Sequence, residues 1–317
     1  MSKYVTLSAI GAPQADFTSL PKDFSVYERE MKAKLQRSLD DVLPSKPDLI
    51  VFPECANRYI PFTRAGLKEY YKYLGDSLVD FLKEVAVNNN TNIAYSAYRY
   101  LEDGGEKPFR NSTIYIGRDG SICGIYDKNH LVVEEYTEGD VKYGTEAKTV
   151  DLDFGRVASA ICFDLNFDEL LYKYPSQNPD LIVFCSMFHG GLKRQAQWAY
   201  TCRSFLVSAV CGNPCNILNP YGDVIATSTN YTDHVSGRIN LDYKLCHWDY
   251  NRDKLKAAKA KFKDALTIYD PGYVGSLMLS SEDSDITVDE MIREFEIETL
   301  EDYFARVREH RAENIKI

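Results

Sequence analysis

The sequence predicts an α/β sandwich, two stacked β-sheets with helices covering them. Three observations predict it. Short apolar runs rich in β-branched residues recur along the chain, amphipathic stretches separate them, and the apolar runs are too many for one doubly wound sheet. In order, Tyr4–Ile10 reads as a strand and residues 26–42 as an amphipathic helix. Asp48-Leu49-Ile50-Val51-Phe52 is a buried strand closed by Pro53, which has no N–H to give to a ladder. Residues 67–87 read as a second helix and 92–98 as the next strand. Two strands flank Arg118-Asp119-Gly120, whose Asp-Gly pair signals a tight hairpin. The largely apolar stretch 157–162 is a strand, with a helix expected from Phe167. A strand at 181–185 and a helix at 192–205 follow. Four more strands are expected at 206–210, 215–219, 224–227 and 234–239, the middle two joined by Pro220-Tyr221-Gly222.

This alternation runs unbroken to about residue 242, with no linker and no internal repeat. Beyond it the character changes. Residues 252–265 form a Lys- and Ala-rich helix, and 288–312 a long charged helix opening after Thr287. The expected division is a main domain, 1–242, and a helical C-terminal extension, 243–317. That extension packs on the chain's own body or reaches over a partner subunit.

Composition narrows the function classes. The 317 residues are 44% hydrophobic and 26% charged, as in a globular protein with a sizeable core. The formal charge of −10 argues against nucleic acid, whose phosphates call for a clustered positive surface. No apolar run approaches the ~20 residues of a membrane span, and Met1-Ser2-Lys3-Tyr4-Val5 lacks the apolar stretch of a signal peptide. The expected setting is therefore the cytoplasm, with no membrane partner. Eight cysteines, most in apolar contexts such as Val183-Phe184-Cys185, suit reduced thiols. Cys211 and Cys215 straddle a turn without a second ligand pair, so no metal site is expected there.

Three segments place a reactive polar group where a buried strand ends, the rim at which α/β folds gather their active sites. In Val51-Phe52-Pro53-Glu54-Cys55 a carboxylate follows an apolar strand. Desolvation would raise its pKa toward that of a general base, although, taken alone, a carboxylate accepting bonds from neighbouring amides is the better reading. In Gly124-Ile125-Tyr126-Asp127-Lys128-Asn129-His130-Leu131 a lysine leaves a hairpin strand. If buried, it needs a carboxylate partner such as Glu54 or Asp127, and its ammonium can stabilise an oxyanion. In Ala158-Ser159-Ala160-Ile161-Cys162-Phe163-Asp164 a thiol sits between strand and helix, where backbone amides favour both thiolate and oxyanion. Taken alone, it is one buried cysteine among eight.

Together, in the order Glu, Lys, Cys, these segments resemble the nitrilase superfamily of carbon–nitrogen hydrolases. Phe52-Pro53-Glu54, Tyr126-Asp127-Lys128-Asn129-His130-Leu131 and Ile161-Cys162-Phe163-Asp164 carry the resemblance, with Asn111-Ser112 and Asn219-Pro220-Tyr221-Gly222-Asp223 in support. It spans about residues 4–242. It implies a four-layer α-β-β-α sandwich, a homodimer or higher homo-oligomer, and no cofactor or metal. It further implies Glu54 as general base, Lys128 as stabiliser of the tetrahedral intermediate, Cys162 as nucleophile, and the Phe163 amide as oxyanion donor. Many relatives add a second glutamate after the lysine. Here Glu135 is favoured and Glu134 is the rival, because the intervening loop looks one residue shorter. Many amidase-like members also carry an arginine and a proline where this chain has Asn166 and Asp168.

Ser186-Met187-Phe188-His189-Gly190-Gly191 matches the superfamily's substrate-lining loop, making Phe163, Met187, Phe188 and His189 candidate substrate contacts. Arg58, Arg64 and Arg194 are candidates to hold an acidic substrate, and Tyr59, Tyr95, Tyr98 and Tyr136 to line an aromatic pocket. The sequence Cys-Phe-Asp looks more like amidase and carbamoylase branches than true nitrilases. The expected activity is hydrolysis of a small linear amide or N-carbamoyl compound through a thioester. Alternatives are a nitrilase, a papain-like thiol hydrolase using His189 or His234, and a non-enzymatic scaffold.

Overall fold

The computed structural model describes residues 2–60, 63–188, 190–212 and 214–315. Its chain divides into two compact units, Thr6–Gly237 and a second made of Met1–Val5 with Arg238–Ile317.

The first unit is built on two six-stranded sheets. One runs edge to edge through His234–Asn240, Tyr4–Ile10, Leu49–Val51, Asn92–Tyr100, Phe109–Ile116 and Ile122–Asp127. Its Tyr4, Leu49 and Asn92 strands pair in parallel, and the last two continue antiparallel. The other has three parallel strands at its centre, Gly155–Ile161, Leu181–Ser186 and Phe205–Val210. Val150–Leu152 flanks them antiparallel on one side, Asn216–Leu218 and Val224–Thr227 on the other.

Strand period explains the layering, since alternate residues face opposite sides of a sheet. In the first sheet Ile50, Phe52, Ile93 and Tyr95 turn outward into a cluster with Met31, Leu35 and other helical residues. In the second, Ala158, Ala160, Ile182 and Phe184 turn outward against Trp198 and Leu170. Ser159, one residue out of phase, bonds instead to the Tyr115 hydroxyl of the first sheet at 2.6 Å. The order is therefore helix, sheet, sheet, helix, the four-layer sandwich expected.

Several helices differ from expectation. Residues 67–87 form two helices, Arg64–Leu74 and Ser77–Asn89. Gly75 between them sits at φ +47°, a backbone region that glycine enters without steric cost. The helix expected from Phe167 is a single turn, Asp168–Leu171, preceded by a 3-10 turn at Cys162–Asn166. The helix at 192–205 stops at Cys202, and Phe205 opens the next strand.

The second unit is not all helix. Tyr243–His247, Leu266–Tyr269 and Ser276–Ser281 form a three-stranded antiparallel sheet, which the reading of a helical extension did not include. Leu255, Leu277, Leu279, Val288 and Met291 gather in an apolar cluster of its own. The expected long helix at 288–312 is two, Val288–Glu294 and Leu300–Asn314. Glu296 turns left-handed between them at φ 51°, and the Thr299 side chain caps the second by accepting from the Asp302 amide. Among the described residues no helix is long and apolar enough to cross a membrane.

Candidate active site

Four strand ends of the first unit converge: those before Glu54, Lys128, Cys162 and Met187. Glu54 is 3% exposed, Lys128 2% and Glu135 9%, so the three charges share one desolvated cluster. The Lys128 ammonium donates to Glu54 Oε1 at 2.9 Å and to Glu135 Oε2 at 2.8 Å. Asn111 Nδ2 bridges the same two carboxylates, 2.8 Å from Glu54 Oε1 and 2.9 Å from Glu135 Oε1. The Met187 amide donates to Glu54 Oε2 at 3.0 Å. Glu135 also accepts from the Tyr98 hydroxyl and the Val132 amide. Buried charges need such complete pairing to persist. Glu134 is exposed, and only its neighbour reaches the cluster.

Cys162 begins the turn after its strand with φ +47°, a conformation costly for a non-glycine residue. Asp164 holds that turn. Its fully buried carboxylate accepts from the Ile161 amide at 3.1 Å, the Tyr126 hydroxyl at 2.8 Å and the His130 amide at 2.7 Å. Asn166 and Asp168 have defined roles in the same segment. Asn166 bonds back to the Phe163 carbonyl, and Asp168 pairs at 2.8 Å with Arg194, which also donates to the Leu165 carbonyl. An arginine from the following helix thus ties down the segment, and this commits Arg194 away from substrate.

Burial and nearby charge set the protonation states. For Glu54 burial is the largest influence and pushes its pKa up. The Lys128 charge, the Lys128 and Asn111 hydrogen bonds and the Met187 amide together outweigh it, leaving Glu54 below the usual glutamate value. The sequence expectation of a raised pKa is thereby corrected, because the ion pair wins over desolvation. Lys128 is raised, since its carboxylate neighbours overcome burial. Burial, then the Glu54 charge, push the Cys162 thiol up to about 11, against the lowering effect of Lys128 and a Ser186 hydrogen bond. The resting state is carboxylate, ammonium and neutral thiol, with Glu54 and Ser186 near enough to the thiol to bear on its ionisation. Neither partner is a histidine.

The cluster lines a cavity of about 370 Å3 together with Cys162, Tyr71, Tyr98, Phe109, Met187 and Phe188, among others. Of the sequence candidates, Met187 and Phe188 line it, and His189 lies outside the described residues. The Phe163 side chain is not part of the lining. It packs edge-on against Phe167, 5.1 Å between ring centres, so only its backbone is directed to the site's chemistry by the sequence reading. Tyr98 lines the cavity, whereas Tyr59 and Tyr95 belong to the helix-side core and Tyr136 lies partly exposed against Tyr143. Asn111 is one of the residues that only support the family resemblance. Its signal is a strand, Phe109–Ile116, buried at every position yet carrying Arg110, Asn111, Ser112 and Thr113, a polarity that plain packing does not require.

As to metals, Glu54 and Glu135 already hold a lysine ammonium between them. Among the described residues the one group able to offer three ligand atoms is Asp41, Asp233 and His234, with both aspartates exposed.

The family model for carbon–nitrogen hydrolases matches residues 25–229. The chain belongs to the carbon–nitrogen hydrolase family. That membership places it in the nitrilase superfamily. "Probable nitrilase C965.09" of Schizosaccharomyces pombe is 27% identical over 160 residues, 47% of this chain and 55% of that protein. "Omega-amidase NIT2" of Danio rerio is 23% identical over 219 residues, 62% of this chain and 77% of its own. The chain therefore spans only about half of the first relative's length. Among solved structures, Nit3 of Saccharomyces cerevisiae, described as a member of branch 10 of the nitrilase superfamily, superposes with a TM-score of 0.62 at 14% identity, covering 75% of this chain and 90% of its own. At that identity the likeness speaks for the fold.

Proposed function

We propose that this carbon–nitrogen hydrolase cleaves small linear amides or N-carbamoyl compounds through a Cys162 thioester. The observation that carries the reading is the grouping of four side chains in one cavity wall, where Cys162 and Glu54 line the same space and Glu54 shares the Lys128 ammonium with Glu135.

In the proposed reaction, Glu54 takes the thiol proton as Cys162 Sγ bonds to the carbonyl carbon. A thiol near 11 supplies little thiolate at neutral pH, so an adjacent base is needed. Lys128 has three N–H donors. Two are engaged by Glu54 and Glu135, leaving the third for the developing oxyanion, together with the Phe163 amide. The carbon–nitrogen bond then breaks as Glu54 returns its proton to the departing nitrogen. Ammonia or an amine leaves. Water, deprotonated by Glu54, next attacks the thioester, and Cys162 recovers its proton as the acid departs. Glu135 keeps Lys128 oriented and charged throughout. We take the setting to be cytoplasmic, since all eight thiols are free, and the working form to be a homodimer or larger homo-oligomer, as the superfamily resemblance implies.

The test is a panel of short amides, N-carbamoyl amino acids and nitriles given to wild type and Cys162→Ala, with product masses and ammonia recorded. Amide or carbamoyl turnover that disappears in the variant supports the reading. Turnover surviving in Cys162→Ala overturns it, and turnover of nitriles alone moves the chain to the nitrilase alternative.

A further inference from the structure

We infer that Asn111 is a positioning residue of the proposed reaction. Its amide N–H groups occupy Oε1 of Glu54 and Oε1 of Glu135, which closes Glu135 to protons and leaves Oε2 of Glu54 as the open acceptor for the Cys162 proton. The inference rests on the thiol-hydrolase reading above and deepens it.

Both carboxylates line the cavity together with Cys162, so their place alone does not say which of them takes the proton. The donors around them do. A carboxylate offers about two acceptor positions on each oxygen. At Glu135 every position is taken: Oε1 accepts from the Tyr98 hydroxyl and from Asn111 Nδ2, each at 2.9 Å, and Oε2 from Lys128 Nζ at 2.8 Å and the Val132 amide at 3.0 Å. At Glu54, Oε1 is filled by Lys128 Nζ at 2.9 Å and Asn111 Nδ2 at 2.8 Å, whereas Oε2 accepts only from the Met187 amide at 3.0 Å among the described residues. The open position is therefore on Oε2 of Glu54. There the thiol's S–H bond gives way to an O–H bond, and the same proton later passes to the departing nitrogen.

Strand register puts Asn111 in this place. It stands directly opposite Tyr98 in the pairing of Asn92–Tyr100 with Phe109–Ile116, and its backbone carbonyl accepts from the Lys128 amide at 2.8 Å. A second observation concerns the other end of its side chain. Asn111 is 1% exposed, and its Oδ1 is buried with no hydrogen-bond partner among the described residues. An unpaired buried carbonyl is costly. Turning the amide over would aim that oxygen at two carboxylates, which accept and cannot donate when ionised. Packing does not account for an amide here, but its N–H donors do. Asn111 is not among the residues lining the cavity, so it acts through the carboxylates and not on the substrate.

The experiment uses the amide turned over best in the panel above. Wild type, Asn111→Ala and Asn111→Ser are compared, each alone and combined with Glu54→Gln, after circular dichroism has checked folding. The Asn111 bond holds the Glu54 carboxyl down, so Asn111→Ala should move the acid limb of kcat/KM up by about one pH unit, the scale of one hydrogen bond to a charged group. Its kcat should fall about tenfold while KM stays within about twofold. Asn111→Ser keeps one donor and should fall between, and it decides the matter if the alanine variant does not fold. With Glu54→Gln already in place, Asn111→Ala should cost less than about twofold, because the base it arranges is gone. An unmoved limb, a loss chiefly in KM, or equal losses with and without Glu54 overturns the inference. If no amide is turned over, the hydrolase reading is what has failed. Modification of Cys162 by 2,2′-dipyridyl disulfide, which thiols attack even in acid, then decides the role of Asn111. Its rate at Cys162, followed by peptide mass, should show an acid inflection that Glu54→Gln removes and Asn111→Ala raises by about one pH unit. An inflection that is absent, or that Asn111→Ala leaves in place, overturns the inference.

Discussion

At Glu54, burial and an ion pair act in opposite directions, and the pair is the stronger. If Glu54 is the base, the acid limb of kcat/KM should lie below the ordinary glutamate value of 4.5, because only the carboxylate can take the thiol proton. A limb between pH 6 and 7 in the measured profile would mean that desolvation wins after all. Replacing Glu54 separates its two effects. It raises the thiol's pKa by charge and hydrogen bonding while Lys128 lowers it. Glu54→Gln should therefore lower the Cys162 pKa from about 11, so that iodoacetamide labels Cys162 faster at pH 8. Hydrolysis meanwhile should fall by about 10^3-fold, within the range of general-base loss. Slower labelling would assign Glu54 a different part. Lys128→Met leaves two buried carboxylates without their cation, and chemical denaturation should register a loss of about 3–5 kcal/mol. Glu54, Lys128 and Cys162 stood out in the sequence because each follows a recognisable strand and the three occur in one order. The bonds that Asn111 and Tyr98 make to Glu135 did not, since they join separate strands and loops and local pattern does not encode them.

Among the elements, the turn from Ile161 to Asn166 concentrates the strain of the site. Cys162 at φ +47° is held there by Asp164, which links the turn to Tyr126 and His130 of the lysine-bearing segment. Asp164→Ala removes four bonds to one buried carboxylate, from the Ile161 and His130 amides, the Tyr126 hydroxyl and the His130 ring. It should cost about 2–4 kcal/mol in stability and lower kcat about 100-fold by displacing the nucleophile relative to Glu54. Thermal melts and steady-state kinetics check both, and a normal kcat in a destabilised variant would confine Asp164 to a structural role. The strands were legible because continuous apolar runs have few other fates in an α/β protein. The breaks within helices were not, because amphipathic periodicity persists across Gly75 and Glu296 while the backbone turns left-handed at each. The strand Ser276–Ser281 pairs antiparallel on both sides, but it is built largely of serine and leucine and lacks the β-branched composition that marks strands.

For the molecule as a whole, the buried thiols and phenols set a limit on alkaline stability. Burial pushes Cys185, Cys202 and Cys246 up to about 12 and Cys215 to about 11, and holds Cys55 well above the ordinary 9.0. Tyr70, Tyr71, Tyr95, Tyr98, Tyr115, Tyr126 and Tyr174 are likewise raised by burial. These groups stay protonated in the native chain at pH values where the unfolded chain loses its protons. The unfolded state then binds fewer protons, so stability falls as pH rises. The fall begins near 9.0 for thiols and 10.0 for phenols, their ordinary values, and continues toward the raised native values. By about pH 10 each unfolded thiol gains roughly 1 kcal/mol over its buried counterpart, and the five together several kcal/mol. That is comparable with the whole stability of an ordinary domain, about 5–15 kcal/mol, before the phenols add their share. Urea midpoints should accordingly hold between pH 7 and 8 and drop steeply from pH 9, with several protons released on unfolding at pH 10. Replacing Cys185 and Cys202 with alanine should flatten that drop while lowering stability at pH 7, where the cavities left behind dominate. A midpoint unchanged between pH 8 and 10 would mean that these side chains reach water far more readily than their burial implies.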